Sequence, residues 1–138
     1  MRVMVLVKAN PDSEAGQMPD RKMLSDMGAF NEQLVEAGVM LAGDGLRPSS
    51  HGKRVKFNGS EKRVTDGPFP ETKELVAGYW IWNVTSMDEA VEWLRKAPFG
   101  GGAEVEIRPM HEMEDFGDEL TPELRAQEAS QRARIGGT

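Results

Sequence analysis

The chain has 138 residues, a net charge of −6 and no cysteine. Its length suits a single domain with its own hydrophobic core, and the lack of cysteine excludes disulfides, thiolate metal sites and cysteine nucleophiles. The apolar run near the N-terminus, Val3 to Val7, is too short for a signal peptide or a membrane span. We therefore expect a cytoplasmic protein that binds no membrane, and its acidity disfavours nucleic acid as a partner.

The N-terminal part of the sequence predicts a strand followed by a helix. Val3 to Val7 is apolar without alternation, which is typical of a strand covered on both faces. Residues 10–19 have the composition of a loop. Asp20 then offers an N-cap, and an apolar stripe at helical spacing predicts a helix over residues 21–37. The stripe consists of Met23, Met27, Phe30 and Leu34.

A short second strand at residues 39–42 precedes a predicted β-hairpin. Its strands are residues 54–57 and 62–65, and a four-residue loop between them places Val55 opposite Val64. A two-residue Asn-Gly loop would pair Val55 with a lysine instead, and we expect the longer loop. The basic residues of the hairpin lack an interleaved aromatic ladder, so they indicate a solvated edge protected from aggregation. They are Lys53, Arg54, Lys56, Lys62 and Arg63.

The second half of the chain predicts a strand, a helix and a last strand. Residues 76–84 are aromatic and β-branched and predict a strand buried on both sides, with Trp80, Trp82 and Val84 on one face. Ser86 begins a capping box with Glu89. The helix that follows ends at Pro98, and its predicted buried residues are Ala90, Val91, Leu94 and Ala97. In the last strand, residues 104–109, Val105 and Ile107 face one way, and Glu104, Glu106 and Arg108 face the other.

The order of these elements predicts an α+β fold. Without the inserted hairpin the order is βαββαβ, which is the ferredoxin-like arrangement of an antiparallel sheet with two helices on one face. The other face of the sheet then needs cover, and in a domain of this size a second copy of the chain is the usual solution. We therefore expect a homodimer.

The acidic C-terminal segment, residues 111–138, lies outside this pattern. It holds seven of the acidic residues and three arginines. A Thr-Pro pair predicts a helix over residues 121–134, but its apolar face is thin. We predict a domain at residues 1–110 and a partly helical or flexible tail at 111–138 that is dispensable for the fold.

The centre of the sequence, Val64 to Glu74, carries the most distinctive motif. Asp66-Gly67-Pro68 is a turn, because glycine tolerates unusual backbone angles and proline fixes its own φ. With Phe69, Glu71, Lys73 and Gly78-Tyr79, the pattern DGPF-x-E-T-K-E-x-x-x-G-Y resembles the DGPF type of the YCII-related family. The resemblance extends from about Val3 to Pro109. It implies a dimeric α/β barrel, and few proteins of this type have an established reaction.

Asp66 is the main candidate catalytic residue, since the resemblance makes it the characteristic acid of the family. An Asx bond within the turn would also explain an aspartate there. Arg108 faces the barrel interior in this arrangement and must find a carboxylate, either of the protein or of an acidic substrate. The remaining candidates for substrate binding are Lys73, Tyr79, Trp80 and Trp82.

The two histidines, His51 and His111, do not occupy the first-helix position where the wider family has a histidine paired with an aspartate. No motif for a metal or a nucleotide cofactor is present, so we expect neither. The leading hypothesis is an enzyme that acts on a small polar or anionic substrate in a barrel cavity. The alternatives are a non-catalytic ligand binder or partner linked to an extracytoplasmic-function sigma factor, as the resemblance implies, and a purely structural dimer.

Overall fold

The protein, as a computed structural model that describes residues 1–136, contains two antiparallel sheets and four α-helices. The strands are β1 (Arg2–Lys8), β2 (Met40–Gly45), β3 (Lys53–Asn58), β4 (Glu61–Asp66), β5 (Val76–Asn83) and β6 (Val105–Pro109). The helices are α1 (Pro11–Glu14), α2 (Arg21–Glu36), α3 (Met87–Arg95) and α4 (Pro122–Arg134). The larger sheet has the strand order β2-β5-β1-β6, and β3 pairs with β4 in a separate hairpin.

The larger sheet confirms the predicted α+β class. All three of its strand pairs are antiparallel, and apolar residues of α2 and α3 pack on the same side of it. With the hairpin and the short α1 set aside, the order is βαββαβ, which is consistent with the ferredoxin-like arrangement. Closure into a barrel and pairing of two chains stay predictions.

The core lies between the larger sheet and its two helices. Asp20 caps α2 by accepting a hydrogen bond from the Met23 amide at 2.8 Å, and Phe30 and Leu34 of this helix are buried against the sheet. Burial of a leucine side chain such as Leu34 stabilises the fold by about 1.5–3 kcal/mol. The buried apolar residues of the strands that meet this helix are Val3, Val5, Trp80 and Trp82.

The opposite face of the larger sheet is open in the single chain. Met4, Leu6, Tyr79 and Ile81 alternate with the buried residues of β1 and β5 and are only half-buried. In one chain these two strands are buried on one side, because α2 and α3 both cover the same face, and cover of the other side by a second copy stays a prediction.

Three local predictions are corrected by the structure. Residues 11–14, predicted as loop, form α1. Val91, predicted to be buried in α3, is exposed. Ser86 caps α3 by accepting from the Glu89 amide, as predicted, but the Glu89 carboxylate accepts from the amide and hydroxyl of Thr85 rather than from Ser86.

The β3–β4 hairpin confirms the predicted register but not the predicted loop length. Val55 lies opposite Val64, and Asn58 also pairs with Glu61, so the loop has two residues, Gly59 and Ser60, instead of four. Gly59 has a φ of 65°, which glycine adopts without strain. All residues of both strands are exposed.

The C-terminal segment folds back to the start of the chain. Thr121 caps α4 and Pro122 occupies its first turn, which confirms the predicted helix. The Glu112 carboxylate accepts from Arg2 Nε at 3.0 Å and from a terminal guanidinium nitrogen of Arg2 at 3.2 Å. The domain boundary at residue 110 stays a prediction. Within residues 1–136, no helix combines the length and the apolar character needed to cross a membrane.

Candidate functional site

The two charged residues selected from the sequence lie in different sheets. Asp66 ends β4, its side chain is 74% exposed, and its carboxylate contacts Lys53 Nζ at 2.5 Å. Arg108 lies on the open face of β6, is 71% exposed, and pairs with Glu106 at 3.7 Å. The ion pairs found among residues 1–136 therefore do not join Asp66 to Arg108.

The other predicted site residues are also separated. Lys73 is exposed in a 3₁₀ turn over residues 72–74. The Tyr79 hydroxyl lies on the open sheet face, 3.4 Å from the Asp44 carboxylate. Trp80 and Trp82, also candidates for substrate binding, point to the opposite face from Tyr79 and are core residues of the single chain. The single chain does not gather the predicted residues into one site.

A pocket of about 440 Å³ lies elsewhere, where the segment after β2 meets the central turn. We call it the Arg47 pocket. Its charged and polar lining residues are Glu14, Arg47, Ser49, His51 and Arg54, and its other lining residues are Leu46, Pro48, Gly52, Phe69, Leu75 and Val76. The central DGPF motif thus contributes its phenylalanine to this pocket, while Asp66 is not part of the lining.

Gly67 allows the central turn to reach this pocket. Its amide donates to the Gly52 carbonyl at 3.0 Å. A Cβ atom at residue 67 would lie 1.8 Å from the Ser49 carbonyl oxygen, which is far inside van der Waals contact. Only glycine therefore lets the two backbone segments approach so closely. The Gly67-Pro68 peptide is cis, and Phe69 follows directly in the pocket wall.

Ser49 joins three segments of the pocket. Its amide donates to Glu14 Oε1 at 2.9 Å, and its hydroxyl donates to the other carboxylate oxygen of Glu14. The same hydroxyl oxygen accepts from the Phe69 amide at 3.0 Å. Glu14 is held in α1, which begins with a capping box between Asn10 and Ser13. Hydrogen bonds to a carboxylate are about twice as strong as those between neutral groups, so this network fixes the turn.

The pocket combines cationic groups with an apolar wall. The Arg54 guanidinium carbon lies 3.8 Å from the centroid of the Phe69 ring, a cation–π contact, and a terminal nitrogen contacts Glu71 at 3.2 Å. Arg47 and His51 are exposed at the same pocket. The Glu14 carboxylate is occupied by Ser49. Two guanidinium groups beside an aromatic ring and aliphatic side chains are suited to a small organic carboxylate.

Sequence reasoning missed most of this pocket. Arg47 lies between the predicted second strand and the hairpin, where no functional residue was predicted, and Arg54 was assigned to a solvated edge. The available signal was the family resemblance, which extends from about Val3 to Pro109 and so includes Arg47. Among residues 1–136, no group of three or more His, Asp or Glu side chains is arranged to hold a metal ion.

These features define an α+β protein with a ferredoxin-like sheet, one open sheet face and a cationic pocket at the base of an inserted hairpin. The sequence model of the YCII-related domain matches residues 1–114, so the chain belongs to the YCII-related family, whose function is uncharacterised. It is also similar to an uncharacterised protein of Rhizobium meliloti (strain 1021), with 32% identity over 95 residues. That alignment covers 66% of this chain and 75% of the relative.

Proposed function

We propose that this protein binds a small anionic organic molecule in the Arg47 pocket. The observation that carries the proposal is the Arg54 guanidinium held over Phe69 in a pocket that also contains Arg47. Arg47 and Arg54 would anchor a carboxylate through paired N–H donors. Leu46 and Leu75 supply an apolar surface for the remainder of the ligand, so the proposed class is aromatic or branched aliphatic carboxylates.

Ligand discrimination provides a direct test of this site. Benzoate is a suitable probe, with benzamide as its uncharged match of nearly equal shape. We expect benzoate to bind more tightly by isothermal titration calorimetry, and Arg47→Gln to weaken benzoate binding at least about tenfold while changing benzamide binding little.

Arg95→Gln serves as the control, because Arg95 lies on the surface of α3 and pairs only with Glu92 among residues 1–136. Equal binding of the two probes, or equal effects of the two arginine variants, would contradict the proposal.

We propose further that two chains pair through their open sheet faces into a dimeric barrel. Met4, Leu6 and Ile81 are apolar and only half-buried on this face, which supports pairing. In such a dimer, Tyr79 and Arg108 of both copies would line the space between the sheets. A stable interface of this kind buries more than about 1,000 Å² in total.

A charged side chain in the middle of this face should separate the copies. We expect Ile81→Glu to be monomeric in sedimentation at micromolar concentration, since a carboxylate would be buried without a partner. Val35→Glu, at an exposed position of α2, should leave the dimer intact. A wild-type monomer would rule out sheet pairing.

We propose, more specifically, that the protein is an enzyme that acts on the bound anion, with Asp66 as the acid/base or orienting residue. It is supported by the position of Asp66 directly before Gly67, which places it at the edge of the turn that builds the pocket. Asp66→Asn should then abolish turnover of a bound carboxylate while benzoate affinity remains. If Asp66 serves only the hairpin, the same variant will weaken its contact with Lys53 and leave turnover unchanged.

The alternative proposal is a regulatory module linked to an extracytoplasmic-function sigma factor. It requires an exposed apolar surface for a protein partner, and the hairpin offers one, with Phe57 70% exposed. Disulfide trapping between Phe57→Cys and Phe116→Cys proteins distinguishes this use of the hairpin from contact with a second copy.

A further inference from the structure

One face of the β3–β4 hairpin is apolar and uncovered. Val55 and Phe57 alternate along β3 and Val64 lies opposite Val55, so the three side chains share one face. Their exposed fractions are 49%, 70% and 59%. A hairpin of two strands that is not joined to a larger sheet is marginally stable in water unless its apolar face is packed against another element. This face therefore needs a partner.

The charge of the hairpin restricts what that partner can be. Residues 53–66 contain five basic and two acidic residues. A second hairpin of the same kind would bring like charges together, which is unfavourable. An acidic surface with an exposed apolar group is complementary instead.

The C-terminal segment of the chain has these properties. Residues 111–136 contain seven acidic residues and three arginines. The 3₁₀ segment Met113–Glu119 presents Phe116 with 53% of its side chain exposed, and Glu114, Asp118 and Glu119 around it are also exposed.

The C-terminal segment of the same chain begins at the end of the larger sheet that is opposite to the hairpin. It leaves β6 at Pro109, which lies opposite Val3, and Glu112 is tied to Arg2. The hairpin is inserted before Val76, which lies opposite Lys8 at the other end of β1. Val3 and Lys8 are five residues apart along β1, so the two ends are separated by about 17 Å. A two-fold axis perpendicular to β1 would bring the C-terminal segment of one copy next to the hairpin of the other.

We propose that the hairpin face of one chain packs on the C-terminal segment of a second copy, with Phe116 against Val55, Phe57 and Val64. Lys62, next to Phe57 on this face, contacts the acidic residues near Phe116. The contact is reciprocal in a two-fold dimer. It is compatible with sheet pairing but rests on separate residues, so the two interfaces can be disrupted independently.

Because the sequence contains no cysteine, disulfide trapping tests this contact cleanly. We would prepare Phe57→Cys and Phe116→Cys as separate full-length proteins, mix them, and oxidise them with oxidised glutathione. The expected result is a covalent dimer in the mixture at a yield at least about tenfold above that of either variant alone. A disulfide needs the two Cβ atoms about 3.5–4.5 Å apart, so random collisions contribute little.

Several outcomes would overturn the proposal. Phe57→Cys mixed with Leu24→Cys is the control, since Leu24 is equally exposed on α2, and an equal yield would mean unspecific pairing. In a double variant that carries both Phe57→Cys and Phe116→Cys, a disulfide within one chain would place the C-terminal segment on the hairpin of the same chain. If the mixture of the two single variants forms no covalent dimer, the hairpin face does not pack on a second copy.

Charge reversal provides a second, independent measurement. Lys62→Glu in the Phe57→Cys protein should lower the yield of the mixed dimer about fivefold, which is the effect of turning a surface attraction into a repulsion. Glu119→Lys in the Phe116→Cys protein should restore much of it. Failure of this rescue, with a yield as low as that of the single reversal, would contradict the proposed contact of Lys62 with the acidic residues near Phe116.

Discussion

In the larger sheet, alternate residues of β1 and β5 are fully buried beneath α2 and α3, whereas every residue of the β3–β4 hairpin is exposed. The sheet is stabilised by apolar burial. The hairpin is fixed instead by its turn at Gly59, by backbone pairing and by contacts at its base, where Gly67 meets Gly52. The Arg47 pocket lies at that base, so the proposed ligand site belongs to the part of the fold with the least apolar support.

The largest difference between the two regions should appear in stability. We expect Leu34→Ala to lower the free energy of unfolding by about 2–5 kcal/mol, because Leu34 is completely buried in the core. Val35→Ala, the next residue of α2 and largely exposed, should change it by less than about 0.5 kcal/mol. Urea denaturation measures both, and similar losses would mean that the core is not where burial places it.

A smaller effect is expected at the junction of hairpin and pocket. Gly67→Ala places a methyl group against the Ser49 carbonyl oxygen, and relieving such a clash typically costs about 1–3 kcal/mol. The variant should also lose benzoate binding. Gly100→Ala is the matched control, since nothing lies within 4 Å of the added methyl. Retained benzoate binding in Gly67→Ala would show that the turn does not set the pocket.

Weakening the hydrogen-bond network around Ser49 should have a smaller effect on stability than Gly67→Ala. We expect Glu14→Gln to reduce stability by about 1–2 kcal/mol, because two charge-assisted hydrogen bonds become neutral ones. It should also shift the amide NMR signal of Phe69 in the ligand-free protein, since Phe69 is positioned through Ser49. Asp12→Asn, an exposed change in the same short helix, should do neither. An unchanged Phe69 signal in Glu14→Gln would contradict the positioning role of Glu14.

The smallest effect is expected for the tail contact. The Arg2 hydrogen bond holds the pKa of Glu112 below its usual range. A lowered pKa in the folded state stabilises the protein above the ordinary carboxyl pKa of about 4.3, and this stabilisation is lost as the pH falls through the folded-state pKa. The free energy of unfolding, measured by urea denaturation, should therefore be higher for the wild type than for Glu112→Gln by less than about 1 kcal/mol at pH 7. A difference that persists at pH 2 would contradict this assignment.

The order and register of the elements could be predicted from the sequence because burial and turn chemistry are local signals. The apolar stripe of α2, the N-caps Asp20 and Ser86, and the pairing of Val55 with Val64 all follow from spacing alone. Some local features were mispredicted, such as α1, which begins with a capping box between Asn10 and Ser13. Burial of the second face of β5 depends instead on distant packing, because both long helices cover the same face in the single chain.

The site was less predictable for a physical reason. Asp66 was selected from the family resemblance and Arg108 from the alternation of the last strand, but sequence patterns do not state how an inserted hairpin is oriented. The close approach of Gly67 to Ser49 brings residue 69 next to α1, across more than fifty residues of sequence. No spacing rule connects Glu14, Arg47 and Arg54, so this pocket follows only from the folded chain.

Titration with benzoate, followed by amide NMR, reports both the affinity and the location of the proposed carboxylate site. We expect benzoate to shift the amide signals of Arg47, Ser49, Arg54 and Phe69, benzamide at the same concentration to shift them much less, and Arg47→Gln to remove the response. Benzoate shifts confined to β1, β5 and β6, or equal shifts with benzamide, would contradict a carboxylate site in the Arg47 pocket.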